Sequence, residues 1–214
     1  PEVRAIVLTG SGSTFCAGGD LAGGMMSSGG AVAAHEGRAE FGQIFQLMRA
    51  HSSLIVGAIN GDALGGGLGL AMCCDMVVAE STSRFGTPEI KLGLFPWVIL
   101  ALLHRNVGRK RLMEMVMLGQ KIDASEALQL GMINRIVPET EVLHEAMVLA
   151  EQLAGQAPIP LRVGKAAIYQ VADQDFEASI RYLNTQLTLN LLTEDAMEGV
   201  GAFMQRRSPN WKGR

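Results

Sequence analysis

The stretch that decides the fold is Ala58-Ile-Asn-Gly-Asp-Ala-Leu-Gly-Gly-Gly-Leu-Gly-Leu-Ala-Met-Cys-Cys-Asp75. The apolar run over residues 54–59 predicts a buried strand, and residues 68–73 predict a short helix after the glycines. Glycines let another group approach the backbone closely, and a helix that begins there exposes unpaired N–H groups with partial positive charge. The turn can therefore hold an anion, or an oxygen that becomes negative during a reaction. Taken alone, it also fits a tight turn between packed elements.

Three common glycine motifs do not fit this turn. The dinucleotide pattern G-x-G-x-x-G fails because its sixth position is Leu70 when counted from Gly65 and Met72 when counted from Gly67. The phosphate loop fails because no lysine follows the glycines, and a G-x-S-x-G motif does not occur. These mismatches argue against a hydride-transferring dinucleotide enzyme and against a serine hydrolase.

Four further blocks occur around the turn in a fixed order. They read Thr-Phe-Cys-Ala-Gly-Gly-Asp at 14–20, Arg-Phe-Gly-Thr-Pro-Glu-Ile-Lys-Leu-Gly-Leu at 84–94, Ile-Asp-Ala-Ser-Glu-Ala-Leu-Gln-Leu-Gly-Met-Ile at 122–133 and Glu-Asp-Ala-Met-Glu-Gly-Val-Gly-Ala-Phe at 194–203. With Gly-Asp-Ala-Leu-Gly-Gly-Gly at 61–67, they resemble the motifs of the crotonase, or enoyl-CoA hydratase/isomerase, superfamily. The resemblance covers nearly the whole chain. It implies an α/β fold with a crotonase-like ββα spiral core and a helical C-terminal trimerisation region.

Composition excludes several classes of protein. The 214 residues carry a formal net charge of −3, which argues against a general nucleic-acid binder. No apolar run approaches the ~20 residues that span a bilayer, and the first residues do not resemble a signal peptide. The three cysteines show no C-x-x-C spacing, so we expect reduced thiols and a cytoplasmic location. The histidines show no metal-ligand spacing, and we expect no metal and no cofactor apart from the coenzyme A of the substrate.

Periodicity divides the chain into an alternating part and a helical part. Strands are predicted at 3–9, 54–59, 76–79 and 133–137, and helices at 35–50, 68–73, 97–103, 109–118, 142–153, 161–171, 176–192 and 195–205. The alternation indicates parallel strands, and residues 21–30 have the composition of a mobile loop. We therefore expect an α/β core over residues 1–138 and a helical region over 139–214. Since the superfamily has a strand pair and a helix before this point, we also expect the N-terminal part of the natural chain to be missing.

The resemblance implies an oxyanion hole built from the backbone N–H groups of Gly19 and Gly66. The hydratases of the superfamily add two glutamates, one of which corresponds to Glu89, whereas Gly69 stands at the position of the other. We therefore expect a divergent member in which Glu89 is the single acid/base, and which isomerises a double bond or performs an atypical hydration. The alternative is a non-catalytic acyl-CoA-binding or assembly subunit. On its own, Glu89 also fits a surface glutamate that caps a helix.

The resemblance also suggests how substrate and partner subunits are held. We expect the residues that line the substrate site to be Ala17, Asp20, Gly65, Gly69, Leu94 and Trp97. The bulky residues 95–100 replace a glycine-rich helix start, which reshapes or narrows the acyl pocket. Lys165 and Arg206 are candidate partners of the coenzyme A phosphates, although a C-terminal charge cluster is also typical of a solvated end. The apolar stripe on residues 176–191 packs either across subunits, in a homotrimer or hexamer, or within the same chain.

Overall fold

The computed structural model describes residues 3–20 and 30–214, and it has the expected α/β fold. The strands are β1 (Ala5–Thr9), β2 (Leu54–Ile59), β3 (Ala63–Leu64), β4 (Met76–Glu80), β5 (Arg84–Gly86), β6 (Lys121–Asp123) and β7 (Arg135–Val137). The α-helices are α1 (Gly30–Ala50), α2 (Gly66–Cys73), α3 (Trp97–Asn106), α4 (Arg109–Leu118), α5 (Ala124–Gln129), α6 (Val142–Ala154), α7 (Pro158–Val171), α8 (Phe176–Leu191) and α9 (Glu194–Gln205). Short 3₁₀ turns cover Pro88–Leu92 and Glu139–Glu141.

The larger sheet has the strand order β1-β2-β4-β7. Strand β2 runs parallel to β4, with Val56 opposite Met76, and β4 runs parallel to β7, with Val78 opposite Arg135. Val56, Val78 and Ile59 are fully buried, as is typical of a parallel sheet that is covered on both faces. The parallel pairing predicted from the alternation of elements is confirmed.

A second sheet, with the order β3-β5-β6, was not predicted from the sequence. Its strands are two or three residues long, which is too short for a periodic pattern. Asp62 fastens this sheet, because its carboxylate accepts hydrogen bonds from Arg84 Nε at 3.2 Å and Lys121 Nζ at 3.0 Å. Burial raises the pKa of Asp62, but the two cations outweigh that effect, so the pKa lies below its ordinary value.

The predicted helices are confirmed, with some changes at their ends. Helix α1 begins at Gly30 instead of residue 35, and the rest of the segment expected to be a mobile loop, residues 21–29, lies outside the described residues. Helix α4 has the predicted bounds. Asp123 caps α5 by accepting a hydrogen bond from Glu126 N at 2.8 Å, while the Glu126 carboxylate accepts one from Arg111.

The part of the chain after residue 139 is helical, and the structure describes all of it. The apolar stripe on α8 is exposed to solvent, and none of the residues of this helix is buried. The stripe consists of Phe176, Ile180, Leu183, Leu187 and Leu191. Packing of the stripe within the same chain, one of the two alternatives left open by the sequence, is therefore not what the structure shows.

The acidic residues of the block at 194–203 have structural partners. Asp195 is 1 % exposed, and its Oδ1 accepts hydrogen bonds from the backbone N–H groups of Lys212, at 2.7 Å, and Gly213, at 3.0 Å. Glu198 accepts a bidentate pair from Arg207, which lowers the pKa of Glu198 to about 2. These carboxylates therefore attach the C-terminal segment to α9.

The described residues group into two compact units. One consists of residues 3–6, Arg49–Leu54 and Ala150–Arg214, and the other of residues 7–20, 30–48 and Ile55–Leu149. Our division of the chain at residue 138 remains a prediction. Among the helices that the structure describes, none has the length and apolar character needed to cross a membrane.

Candidate active site

Three segments of backbone end side by side in the unit that contains residues 55–149. Cys16 pairs with Ala63 in a parallel bridge, and Leu64 of β3 pairs with Gly86 of β5, also in parallel. Two backbone hydrogen bonds fix these pairings, from Leu64 N to Cys16 O and from Gly65 N to Gly86 O, each at 2.9 Å. Because parallel segments end at the same edge, the residues that follow them meet there, namely 17–19, 65–66 and 87–89.

The glycine turn opens into the N-terminus of α2. Gly65 precedes the helix with φ of 53° and ψ of −123°, a conformation that a residue with a side chain rarely adopts. The bond from Gly69 N to Gly65 O, at 3.2 Å, is the first of the helix. The N–H groups of Gly66, Gly67 and Leu68 therefore have no acceptor within α2 and give this end a partial positive charge.

The second glycine segment lies directly against this helix start. Gly18 has φ of 109°, and a Cβ atom placed on it would lie 3.2 Å from Leu64 O and 3.5 Å from Gly66 N. A Cβ atom on Gly67 would lie 2.1 Å from Cys16 O, so this approach requires glycine. The structure thus brings Gly18, the residue before Gly19, next to Gly66; Gly19 and Gly66 are the two oxyanion donors that the sequence suggested.

Glu89 reaches the same turn from the end of β5. A Cβ atom on Gly65 would lie 2.8 Å from Glu89 Oε1, so the carboxylate lies directly against the turn. The side chain is half-buried, and its Oε2 is buried without a hydrogen-bond partner among the described residues. Burial raises the pKa of the Glu89 carboxyl above its ordinary value, and a hydrogen bond with its own backbone N–H partly opposes this. A freely solvated surface glutamate does not fit this environment.

The 3₁₀ turn that carries Glu89 is held from its far side by the end of α4. Thr87, the residue before the turn, is fully buried, and its Oγ1 donates a hydrogen bond to Met115 O at 3.2 Å. Gly119 leaves room for the turn, because a Cβ atom there would lie 2.9 Å from Ile90 Cγ2. Leu94 N donates to Glu89 O at 3.0 Å. These contacts set the place of the carboxylate.

Two phenylalanines of α1 cover the glycine face of α2. A Cβ atom on Gly66 would lie 2.7 Å from Phe41 Cζ, and one on Gly69 would lie 2.5 Å from Phe45 Cζ and 2.6 Å from Ile99 Cγ2. The spacing of the phenylalanines predicted the apolar face of α1, but periodicity cannot say which turn that face covers. Their contact with the site therefore cannot be predicted from the sequence.

The other residues predicted from the sequence lie in different surroundings. Ala17 and Asp20 are exposed in the segment after Cys16. Leu94 is 39 % exposed, and Trp97 is 75 % exposed at the start of α3. The Trp97 ring contacts the Phe95 ring, with centroids 4.7 Å apart.

The two predicted phosphate partners belong to the other compact unit. Lys165 is 5 % exposed, and its ammonium group donates a hydrogen bond to Ser53 O at 3.1 Å. A phosphate contact by Lys165 would require the ammonium to leave this carbonyl. Arg206 is exposed at the C-terminal end of α9, with φ of 53°.

An open helix start beside a half-buried carboxylate, on a parallel α/β core, can stabilise negative charge that develops on an oxygen atom. Comparison with known proteins supports an enzyme. The chain belongs to the enoyl-CoA hydratase/isomerase family, whose model matches residues 1–214. The crotonase-like fold implied by the sequence motifs is confirmed.

This chain aligns with most of the length of its individual relatives. It is 35 % identical to the 2,3-dehydroadipyl-CoA hydratase of Escherichia coli, over 100 % of this chain and 82 % of that protein. It is also 35 % identical to the carnitinyl-CoA dehydratase of Salmonella typhi, over 100 % of this chain and 83 % of that protein. The crystal structure of an enoyl-CoA hydratase from Mycobacterium smegmatis superimposes with a TM-score of 0.93, at 31 % identity over 98 % of this chain and 81 % of that one.

Proposed function

We propose that this chain binds acyl-CoA thioesters and moves a proton at the carbon next to the thioester carbonyl, with Glu89 as its single acid/base. The observation that carries the proposal is the position of the Glu89 carboxylate. It lies against Gly65, one residue from the open N–H of Gly66, and has a buried oxygen without a partner. Relatives that are named hydratase and dehydratase of CoA esters support the substrate class.

The backbone donors stabilise the charge that the reaction creates. When the α-carbon of a thioester loses a proton, negative charge moves to the carbonyl oxygen. Two fixed N–H donors at about 2.7–3.1 Å from that oxygen lower the energy of the enolate, and loss of one such donor costs about 2.7–4 kcal/mol. The proposed donors are Gly19 and Gly66. Since they are backbone groups, side-chain substitution does not remove them.

A single carboxylate is sufficient for migration of a double bond. The ionised Glu89 takes a proton from the α-carbon of a 3-enoyl thioester, and the electron pair of the C–H bond passes into the dienolate. The protonated Glu89 then returns the proton to the γ-carbon. The double bond moves to the 2,3-position, the carbonyl re-forms, and no water is consumed. The raised pKa of Glu89 favours this role, because it makes the carboxylate a stronger base.

The surroundings of Gly69 favour this reaction over hydration by two carboxylates. The space next to Gly69 is filled by the buried rings and methyl groups of Phe45 and Ile99. It therefore has no room for a carboxylate that would activate water from that side, although an atypical hydration with Glu89 alone is compatible with the same site. The filled space also favours the alternative, a subunit that binds acyl-CoA without turning it over.

The proposal is tested by incubation of the protein with 2-enoyl- and 3-enoyl-CoA esters, followed by mass and retention analysis of the products. Isomerisation leaves the mass unchanged, and hydration adds the mass of one water. Exchange of the α-proton of an acyl-CoA in heavy water reports the proton transfer directly. We expect Glu89→Gln to bind the ester while exchange falls about 10²–10⁴-fold.

Two outcomes decide against the proposed chemistry. Exchange at the wild-type rate in Glu89→Gln would remove Glu89 from the mechanism. Binding without exchange in the wild-type protein would favour the non-catalytic subunit. Binding itself is measured by calorimetry with acetoacetyl-CoA, and free coenzyme A serves as the control.

The exposed stripe on α8 suggests the partner. We propose that a second copy of this chain covers it, in a trimer or hexamer. Five large apolar side chains along one helix face lie in water in the single chain, which is unfavourable unless another surface buries them. Arg206, and Lys165 if it is released from Ser53, are the proposed partners of the coenzyme A phosphates.

A further inference from the structure

The Phe41 ring lies against the residue whose N–H is the proposed oxyanion donor. Its Cζ, Cε2 and Cε1 atoms lie 2.7, 3.2 and 3.6 Å from the place of a Cβ atom on Gly66. The preceding residue, Gly65, makes the corresponding contact with the Glu89 carboxylate. The ring and the carboxylate therefore lie against adjacent residues of one turn.

This position determines which part of a bound ester the ring can contact. In the proposed function, on which this inference rests, the thioester carbonyl accepts a hydrogen bond of about 2.9 Å from Gly66 N. The N and Cα atoms of one residue are about 1.46 Å apart. A ring in contact with the Cβ position of Gly66 is therefore placed nearer to the carbonyl and the carbon beside it than to the far end of a long acyl chain.

Neighbouring side chains keep the Phe41 ring in this position. Phe41 packs edge-on against Phe45, with ring centroids 4.8 Å apart and an interplanar angle of 66°. Phe45 is 5 % exposed, and both its ring and Ile99, which is 2 % exposed, lie against Gly69. Phe41 itself is half-buried, so part of its surface is accessible. Densely packed neighbours of this kind leave the ring little room to move away.

We infer that Phe41 determines specificity at the α-carbon of the acyl group. It accepts thioesters that are unbranched at this carbon and excludes those with a 2-methyl branch. The length of the acyl chain is set elsewhere, because the ring lies beside the carbonyl.

Calorimetric binding of three esters tests this role: butanoyl-CoA, 2-methylbutanoyl-CoA and octanoyl-CoA. We expect the wild-type protein to bind the branched ester at least about tenfold more weakly than butanoyl-CoA, the scale on which a pocket discriminates one methyl group. In Phe41→Ala the preference for butanoyl-CoA over 2-methylbutanoyl-CoA falls to about threefold or less. The ratio of the affinities for octanoyl-CoA and butanoyl-CoA changes by less than about twofold, because the ring does not contact the far end of the chain. Leu47→Ala, at a position of the same helix that is 68 % exposed, is the matched control and keeps the wild-type preference.

The outcomes separate this inference from the proposed function. If Phe41→Ala does not fold, Phe41→Leu carries the measurement, with a ratio between those of wild type and Phe41→Ala. Equal ratios in the wild type and the Phe41 variants, with all esters bound, would overturn the role of Phe41 and leave the proposed function standing. Failure of the wild type to bind any of the three esters would overturn both.

Discussion

Replacement of Gly69 by alanine tests whether the side chains packed against Gly69 leave no room for a second carboxylate. The new Cβ atom would lie 2.5 Å from Phe45 Cζ and 2.6 Å from Ile99 Cγ2, whereas ordinary contacts of such atoms exceed 3.4 Å. Extra methyl groups in a tightly packed core cost about 1–3 kcal/mol. Because the new methyl group overlaps with two buried side chains at once, we expect the packing cost of Gly69→Ala to lie near the upper end of this range. Since alanine gains about 1 kcal/mol over glycine within a helix, we expect a net loss of about 1–2 kcal/mol.

Urea unfolding, followed by circular dichroism, measures the change in the free energy of unfolding. The matched control is Gly164→Ala, because Gly164 also lies within a helix, α7, but the place of its Cβ atom is open among the described residues. Here the helix preference acts alone, and we expect a gain of about 0.5–1 kcal/mol. The two variants make the same chemical change, so their difference reports the contacts of Gly69.

A double variant identifies the neighbour responsible. We expect Gly69→Ala combined with Phe45→Leu to be less destabilised than the sum of the two single changes, because the shorter side chain vacates the space that the methyl group needs. If Gly69→Ala is as stable as the wild-type protein, the side chains around Gly69 are not packed as closely as described. The space beside Gly69 could then hold a second carboxylate, contrary to our proposal.

Three further predictions concern the carboxylate, its support and the exposed stripe. Thr87→Val removes the hydrogen bond to Met115 O, and we expect kcat for isomerisation to fall about tenfold at nearly constant KM. Thr87→Ser keeps the hydroxyl and should recover the activity. A change in KM alone would contradict a positioning role of Thr87. The raised pKa of Glu89 means that the folded state binds its proton more tightly than the unfolded state, so the wild type loses stability as pH rises through the folded pKa. Glu89→Gln should therefore gain in Tm relative to wild type at pH 8 and lose that advantage at pH 4, and thermal melts with a pH-independent difference would refute this. Finally, Leu187→Glu should dissociate the oligomer in sedimentation equilibrium, whereas Thr185→Glu on the same helix should not, and a wild-type monomer at micromolar concentration would rule out the oligomer.

Much of the fold could be predicted because long elements carry periodic signals. The strand Leu54–Ile59 and the helix Arg109–Leu118 have the predicted bounds, since an apolar run and a helical stripe each persist over several residues. The strands at 63–64, 84–86 and 121–123 could not be predicted, because two or three residues are too few for an alternating pattern to repeat. Their pairing depends on contacts between distant parts of the chain, such as those of Asp62 with Arg84 and Lys121.

The site could be predicted where its chemistry rests on sequence motifs. The motifs indicated Gly19, Gly66 and Glu89, and the structure brings their segments to one edge. They did not indicate Phe41 or the support from Thr87. The periodicity of a sequence does not show which helix a side chain packs against, and it does not reveal a single buried hydroxyl. The motifs also did not indicate that Ile99 and Phe45, a residue of a distant helix, fill the space beside Gly69.

The backbone pairing of Leu64 with Gly86 makes the site sensitive to changes in chain length more than to changes in side-chain identity. Strand residues advance about 3.3 Å each and alternate in direction. A one-codon insertion between the paired strands and Glu89 would displace the carboxylate by about that distance and turn it away from the glycine turn. Point substitutions at positions other than the glycines leave the N–H groups of the turn in place. Natural variation at this edge is therefore free to exchange side chains and alter the chemistry, while the spacing of the segments that carry the glycines and Glu89 has to be kept.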